Sequence, residues 1–149
     1  MTRGERTTQV SPTPYKAEFK AARGEIAVTF RSPAVVLTRI TGHFSADMQD
    51  SFLRPTNEAI ARGARVVVFH DWEAMTGYDT SVRQDLTRWS LTQRAHIASI
   101  NILVRSKIVA MGVATAGLTL RLGGMHLCSY TARSAFLSAL LAAVAKQSQ

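Results

Sequence analysis

Residues 65–81 read RVVVFHDWEAMTGYDTS and combine two different residue patterns. The first six residues contain the continuous apolar run 66–69, which is typical of a strand covered on both faces. An acidic segment follows, and Val82, Leu86 and Trp89 then recur at helical spacing. This part of the chain therefore predicts a buried parallel strand, a loop, and a helix over residues 80–94.

The same alternation of strand and helix continues toward the C-terminus. Residues 99–104 predict a strand, and residues 107–120 predict an almost wholly apolar helix that ends at the glycine pair 123–124. Residues 125–130 predict a last strand, and a C-terminal helix begins at Thr131. The apolar stripe of that helix consists of Phe136, Leu137, Leu140, Leu141 and Val144.

Toward the N-terminus the pattern is richer in strands. Three β-rich segments lie within residues 15–40, and turn-forming pairs separate them, so we expect two or three antiparallel strands. Ser45 then provides an N-cap for a helix that runs toward Arg62. Pro55 must either kink this helix or start a second segment.

Together these elements predict an α/β fold. We expect a mixed β-sheet that opens with antiparallel strands and continues as a parallel βαβαβα section, with helices packed against it. The chain has 149 residues, 46% of them hydrophobic, which suits one domain at residues 15–149. Residues 1–14 are rich in Ser, Thr, Pro and Arg, and this composition predicts a disordered N-terminal tail.

The charge distribution is strongly asymmetric. All 10 acidic residues precede residue 86, whereas basic residues continue to Lys146. This basic half favours an anionic partner, which can be an acidic protein surface, a phosphorylated ligand or a membrane headgroup. Alternatively, the basic half forms a surface that serves only solubility. Nucleic acid is not favoured, because the bases are spread singly, without a cluster or interleaved surface aromatics.

The location of the protein follows from its cysteine count and its apolar runs. Cys128 is the only cysteine, so no intrachain disulfide forms, and residues 1–14 lack the apolar run of a secretory signal. No stretch reaches the roughly 18 apolar residues that a membrane span needs. We therefore expect a cytoplasmic protein without a transmembrane segment.

The order of elements, and above all the buried strand followed by residues 71–81, resembles the STAS domains, the fold of bacterial anti-sigma factor antagonists and of sulfate-transporter tails. In that family an Asp-Ser-Ser or Asp-Ser-Thr element opens the next helix, and Asp79-Thr80-Ser81 matches it. Val82 stands where the family usually has Gly. The chain therefore looks closest to divergent stand-alone STAS-like proteins, which are sometimes grouped with lipid-binding SEC14-like domains.

The resemblance implies a non-enzymatic switch in which a partner kinase phosphorylates Thr80 or Ser81. A phosphate there would meet unsatisfied backbone N–H groups and the positive end of the helix dipole, with Arg83 one turn inside. Helix capping explains the same residues without regulation. Ser81 and Gln84 have the spacing of a capping box, and Asp79 or Thr80 can serve as the N-cap.

A second candidate site lies at Arg105-Ser106-Lys107, where a strand ends and a helix begins. Ser106 would cap the helix, and two cations would flank its first N–H groups, as in an anion pocket or simply in a capped helix with solvated charges. In a parallel sheet this turn lies beside the Asp79 loop. The predicted partner-binding residues on the joint surface are Asp71, Trp72, Glu73, Met75, Tyr78, Asp79, Arg83, Arg105, Ser106 and Lys107.

Catalytic and metal-binding interpretations find little support. His70 and Asp71 are adjacent on a strand, so their side chains point to opposite faces. His126 and Cys128 share a face, but an apolar strand favours an inert buried thiol. The four histidines lack zinc-ligand spacing, and no glycine-rich phosphate motif is present. We therefore expect no enzyme activity and no cofactor.

Two apolar features leave alternatives open. Trp72, Met75 and Tyr78 form an aromatic-rich loop that can dock a protein or fold back as a hydrophobic staple. The apolar helix 108–120 must be covered nearly all round, by the sheet, by a second subunit in a homodimer, or by a lipid or other hydrophobic ligand. We expect a regulatory protein-interaction module whose partner resembles an anti-sigma or kinase-like signalling protein, with a hydrophobic-ligand carrier as the alternative.

Overall fold

The structure is a computed structural model that describes residues 16–147, so the expected tail at residues 1–14 lies outside the described residues. The strands are β1 (Lys16–Lys20), β2 (Gly24–Ser32), β3 (Val35–Phe44), β4 (Val66–Trp72), β5 (Met75–Tyr78), β6 (Ile97–Val104) and β7 (Leu127–Tyr130). The α-helices are α1 (Gln49–Ala61), α2 (Thr80–Thr92), α3 (Lys107–Leu122) and α4 (Arg133–Gln147). Two short 3-10 helices lie at Ala46–Met48 and Arg94–His96.

The strands form one mixed sheet in the order β1-β2-β3-β4-β6-β7. The first three strands are antiparallel, and β3, β4, β6 and β7 run parallel to one another. The last residues of β3 pair with β5 instead of β4. This confirms the predicted α/β fold, with an antiparallel opening and a parallel βαβ section.

Helices cover both faces of the sheet. Helices α1, α2 and α3 pack on one face, around a core that includes Phe52, Val82 and Val113. Among residues 16–147, α4 is the one helix on the other face, where Phe136 and Leu140 meet the second core. Because both faces of the central strands are covered, their apolar residues follow one another without alternation.

The segment expected as a loop after residue 70 is mostly strand. Strand β4 continues through Asp71 and Trp72, and β5 follows after a two-residue turn. The segment Met75–Tyr78 is only four residues long and contains a glycine, and its pairing with the end of β3 makes it a strand. The expectation of a loop here is therefore wrong.

Two helix predictions need correction. Helix α1 continues through Pro55 as one 13-residue helix, so the alternative that Pro55 starts a second segment is wrong. The proline ring is buried, and this packing offsets the hydrogen bond that it cannot donate. In α4, Leu137 and Leu141 are exposed, because a lone helix presents only one narrow row of side chains to the sheet.

Candidate functional site

The carboxyl end of the parallel strands brings together the loops that precede α1, α2 and α3. Asp79 occupies the N-cap position of α2, yet its carboxylate does not cap that helix. One oxygen accepts a hydrogen bond from His43 Nε2 at 2.8 Å, and the other accepts from the backbone N–H of Ala46 at 2.8 Å. These two hydrogen bonds lower the pKa of Asp79, and the one from His43 has the larger effect. Asp79 therefore ties the end of β3 to the start of α2.

Helix α2 consequently begins without a side-chain cap. Thr80 and Ser81 are its first two residues, and both are exposed. Within residues 16–147 neither hydroxyl has a hydrogen-bond partner, so the expected capping box between Ser81 and Gln84 does not form. The two hydroxyls are accessible at the positive end of the helix dipole.

Asp71 and Glu73 do not face Arg105 and Lys107, which corrects their expected place on one joint surface. Asp71 is only 3% exposed and lies on the α4 face, where its carboxylate accepts from Arg133 Nη2 at 2.8 Å. Arg133 Nη1 donates to Glu73 at 2.7 Å. Side chains alternate between the two faces along β4, so Asp71 points with Phe69 toward the α4 side and away from the α2 and α3 loops.

Asp71 is held as a carboxylate by its neighbours. Burial by itself raises the pKa of Asp71, but hydrogen bonds from Arg133 and the Glu73 backbone, together with the charges of Arg133 and Arg39, outweigh it and lower the pKa. The guanidinium of Arg39 is 3.4 Å from the same carboxylate. Asp71 thus stabilises the fold through its ion pairs with Arg133 and Arg39, and it is too buried to contact a partner.

The turn at residues 105–107 has the predicted cap but a different environment. Ser106 Oγ accepts from the backbone N–H of Val109 at 3.4 Å. Arg105 and Lys107 are exposed and form no ion pair with any carboxylate that the structure describes.

Large apolar side chains lie beside these cations, so the sheet alone does not cover α3 all round, and its covering by a second subunit or a hydrophobic ligand stays a prediction. In its first turns Ile108 is 62% exposed and Met111 is 70% exposed, and two leucines further along are also exposed. We use the name α2/α3 surface for the exposed residues in the first turns of these two helices and the turn before α3, all at the carboxyl end of the parallel strands: Thr80, Ser81, Arg105, Lys107, Ile108 and Met111. A helix packs only one of its faces against a sheet. When nearly all its residues are apolar, as in α3, some of them must therefore be exposed, and this composition is the sequence signal for the exposed stripe.

The aromatic segment before α2 folds back into the core. Trp72 and Met75 are buried, and Tyr78 is half-buried. The Tyr78 ring lies on α3 at Gly112, where a Cβ would come within 2.2 Å of the tyrosine hydroxyl. These side chains therefore act as packing residues, and Trp72 and Met75 do not reach the surface.

A cavity of about 80 Å³ lies behind them, between the sheet and helices α1, α2 and α3. Its walls are mostly apolar, and sequence reasoning did not predict it. The stacked rings of His70 and Trp72, with centroids 4.8 Å apart, form part of its wall. Burial lowers the pKa of His70 to about 3, so the imidazole is neutral. The indole N–H of Trp72 has no hydrogen-bond partner within the described residues.

His70 and Asp71 point to opposite faces, as predicted, so they do not form a catalytic pair. His70 Nδ1 is 2.6 Å from Thr38 Oγ1, on the cavity side. Cys128 is exposed on the edge strand β7, which corrects the expectation of a buried thiol. Among residues 16–147, no group of three or more His, Cys, Asp or Glu is placed to hold a metal ion.

Comparison with solved structures finds an uncharacterized protein of the DUF3478 family from Shewanella loihica PV-4, described as having a SpoIIAA-like fold. The TM-score is 0.54 at 10% sequence identity, and the match covers 89% of this chain and 98% of the other. No protein-family model matches the sequence, and no curated protein matches it significantly. The likeness concerns the fold, which is SpoIIAA-like, as the resemblance to STAS domains implied. None of the helices within residues 16–147 is long and apolar enough to cross a membrane.

Proposed function

We propose that this SpoIIAA-like domain is a non-enzymatic regulatory module of a bacterial-type cytoplasm, which docks a protein partner through the α2/α3 surface. One observation supports this function best. Ile108 and Met111 are mostly exposed and lie next to Arg105 and Lys107, which form no ion pair within the part of the chain that the structure describes. Exposed apolar groups with a charged rim are typical of protein interaction sites.

The charge of the chain supports an acidic partner. Every acidic residue precedes residue 86, and the net charge is +8. An acidic partner would approach α3 through Arg105 and Lys107, and its apolar side chains would cover Ile108 and Met111. The same surface contains Thr80 and Ser81, so phosphorylation there would place negative charge where the partner binds.

The test is a comparison of partner capture from a native lysate by the parent and by a variant with Arg105→Ala and Lys107→Ala. A variant with Arg62→Ala and Arg65→Ala is the matched control, since both of these arginines are exposed at the other end of β4. We expect a protein that the parent and the control capture and that the Arg105/Lys107 variant loses.

A third variant, with Ile108→Ser and Met111→Ser, tests the apolar half of the surface. Both side chains are exposed, so the fold should tolerate the changes, and thermal unfolding checks this. Loss of the same partner supports docking at the α2/α3 surface. Equal capture by the parent and all three variants contradicts it.

The cavity favours a second candidate function, the binding of a lipid or other hydrophobic ligand. Its apolar walls and few polar groups are typical of small-molecule sites. Native mass spectrometry of the gently purified protein checks this function. A bound mass that is released on denaturation supports it, and an apo mass together with no uptake of added amphiphiles contradicts it.

A further inference from the structure

The cavity under α2 shares part of its wall with a groove on the outside of the molecule. Arg83, Thr87 and Ala116 line both the cavity and this groove, which lies between α2 and α3 and has a volume of about 320 Å³. These three side chains therefore bound both spaces, and a ligand that occupied the cavity and the groove together would pass between them. We call the position of these three residues the neck.

The cavity is large enough to hold part of an organic ligand. A water molecule needs only about 10–15 Å³ of such space, so 80 Å³ takes several atoms of a chain. The interior walls come from Val68, Ile100, Ile102 and similar side chains. Voids lined in this way lower stability when they stay empty, and they favour apolar occupants.

Charge is placed at the neck and not inside. Arg83 is half-buried and forms no ion pair within residues 16–147, whereas its groove neighbour Arg88 is paired with Asp85 at 2.9 Å. Inside the cavity the imidazole of His70 is neutral. An anionic group would thus meet an unpaired guanidinium at the neck, and an alkyl chain would meet apolar walls beyond it.

We infer that the cavity takes a single-chain amphiphile, with its alkyl chain inside and its anionic head group, a carboxylate or a phosphate ester, against Arg83. This inference rests on the second proposed function and specifies its ligand class. It assigns to Arg83, one of the predicted partner-binding residues, a contact with the ligand head group.

The two tryptophans of the chain provide the measurement, because Trp72 and Trp89 both line the cavity. Bromine atoms quench tryptophan fluorescence on contact. The probes are a medium-chain alkanoate brominated along its chain, the corresponding brominated alkanol, and the corresponding brominated alkyltrimethylammonium. We expect saturable quenching by the alkanoate at concentrations at which the cation causes none.

Variants at the neck locate the head group and the chain. We expect Arg83→Gln to weaken alkanoate binding by about tenfold or more, as loss of a charge-assisted hydrogen bond does, and Arg83→Lys to retain most of it. Arg65→Gln, at an exposed arginine on the opposite end of the sheet, is the control. Ala116→Phe should block the neck and abolish quenching by every probe.

The outcomes separate the head group from the cavity. If alkanol and alkanoate bind equally and Arg83→Gln changes neither, the assignment of Arg83 is wrong while hydrophobic-ligand binding stands. If no probe quenches saturably in a folded protein, both the inference and the second proposed function are wrong. If a phosphate monoester of the alkanol binds and the alkanoate does not, the anionic head group is a phosphate.

Discussion

Tyr78 and Gly112 show how one pair of residues positions a helix. The tyrosine ring, from the end of β5, lies where any side chain at residue 112 would stand. The absence of a Cβ therefore lets α3 approach β5 closely. A helix-interior glycine costs about 1 kcal/mol relative to alanine, and this close approach is the reason to retain it.

We predict that Gly112→Ala destabilises the protein by about 1–3 kcal/mol, because its Cβ would overlap the Tyr78 ring and force the core to shift. Gly117→Ala, in the same helix, is the matched control, since its Cβ would be 3.4 Å from the nearest atom. It should be neutral or stabilising by up to about 1 kcal/mol. Chemical denaturation measures the free energy of unfolding of both variants, and equal changes in that free energy would contradict the close contact at Tyr78.

The ion pair between Asp71 and Arg133 is a second contact between two residues that stabilises the fold. We predict that Arg133→Gln destabilises the protein by about 1–3 kcal/mol at neutral pH, because it leaves the buried carboxylate without its main partner. Adding Asp71→Asn to this variant should recover part of the loss. Denaturation of the two single variants and the double variant tests the coupling, and simple additivity would contradict it.

The pH dependence of this pair has a defined sign. The pKa of Asp71 is lowered in the folded protein, so its charged form stabilises the fold above the unfolded pKa near 3.8. That contribution is lost as the pH falls through the folded pKa. The stability difference between the parent and Arg133→Gln should therefore shrink below about pH 4.

Helix α2 presents exposed hydroxyl groups at its N-terminus. It starts without a side-chain cap, because the Asp79 carboxylate bonds to His43 and to the Ala46 backbone. Thr80 and Ser81, its first two residues, are both exposed. The neighbouring β5 holds this arrangement in place by pairing with β3.

We predict that Thr80→Glu or Ser81→Glu weakens binding of an acidic partner by about threefold or more, since each adds negative charge to the α2/α3 surface. Ser134→Glu is the matched control, because Ser134 is the exposed second residue of α4, on the other face of the sheet. Measurements of partner affinity test this prediction, and circular dichroism checks that each variant is folded. Unchanged affinity in both mimics would count against the switch.

At the scale of the whole molecule, the sheet divides the protein into two unequal sides. Three helices and the cavity lie on one side, and α4 with the Asp71 network lies on the other. The basic second half of the sequence supplies α3 and the turn before it, so the excess positive charge reaches the α2/α3 surface. Long-range attraction to an acidic partner follows from this placement.

We predict that association with the captured partner slows by about tenfold or more between low salt and about 0.5 M salt, because screening removes this attraction. The Arg105→Ala, Lys107→Ala variant should show a flatter salt dependence than the Arg62→Ala, Arg65→Ala control. Surface plasmon resonance measures the rates. A salt-independent association rate in the parent would contradict electrostatic docking.

The sequence by itself determined the order of elements apart from β5, the mixed sheet and the opposite directions of His70 and Asp71. Local periodicity reports these features directly, because it depends on which faces of a strand or helix are buried. The tertiary structure decided the rest. Strand β5, the Arg133 partner of Asp71, the exposed stripe of α3 and the cavity all depend on residues that are distant in sequence. Such pairings leave no periodic signal, and only the packing of helices on the sheet determines which side chains are covered.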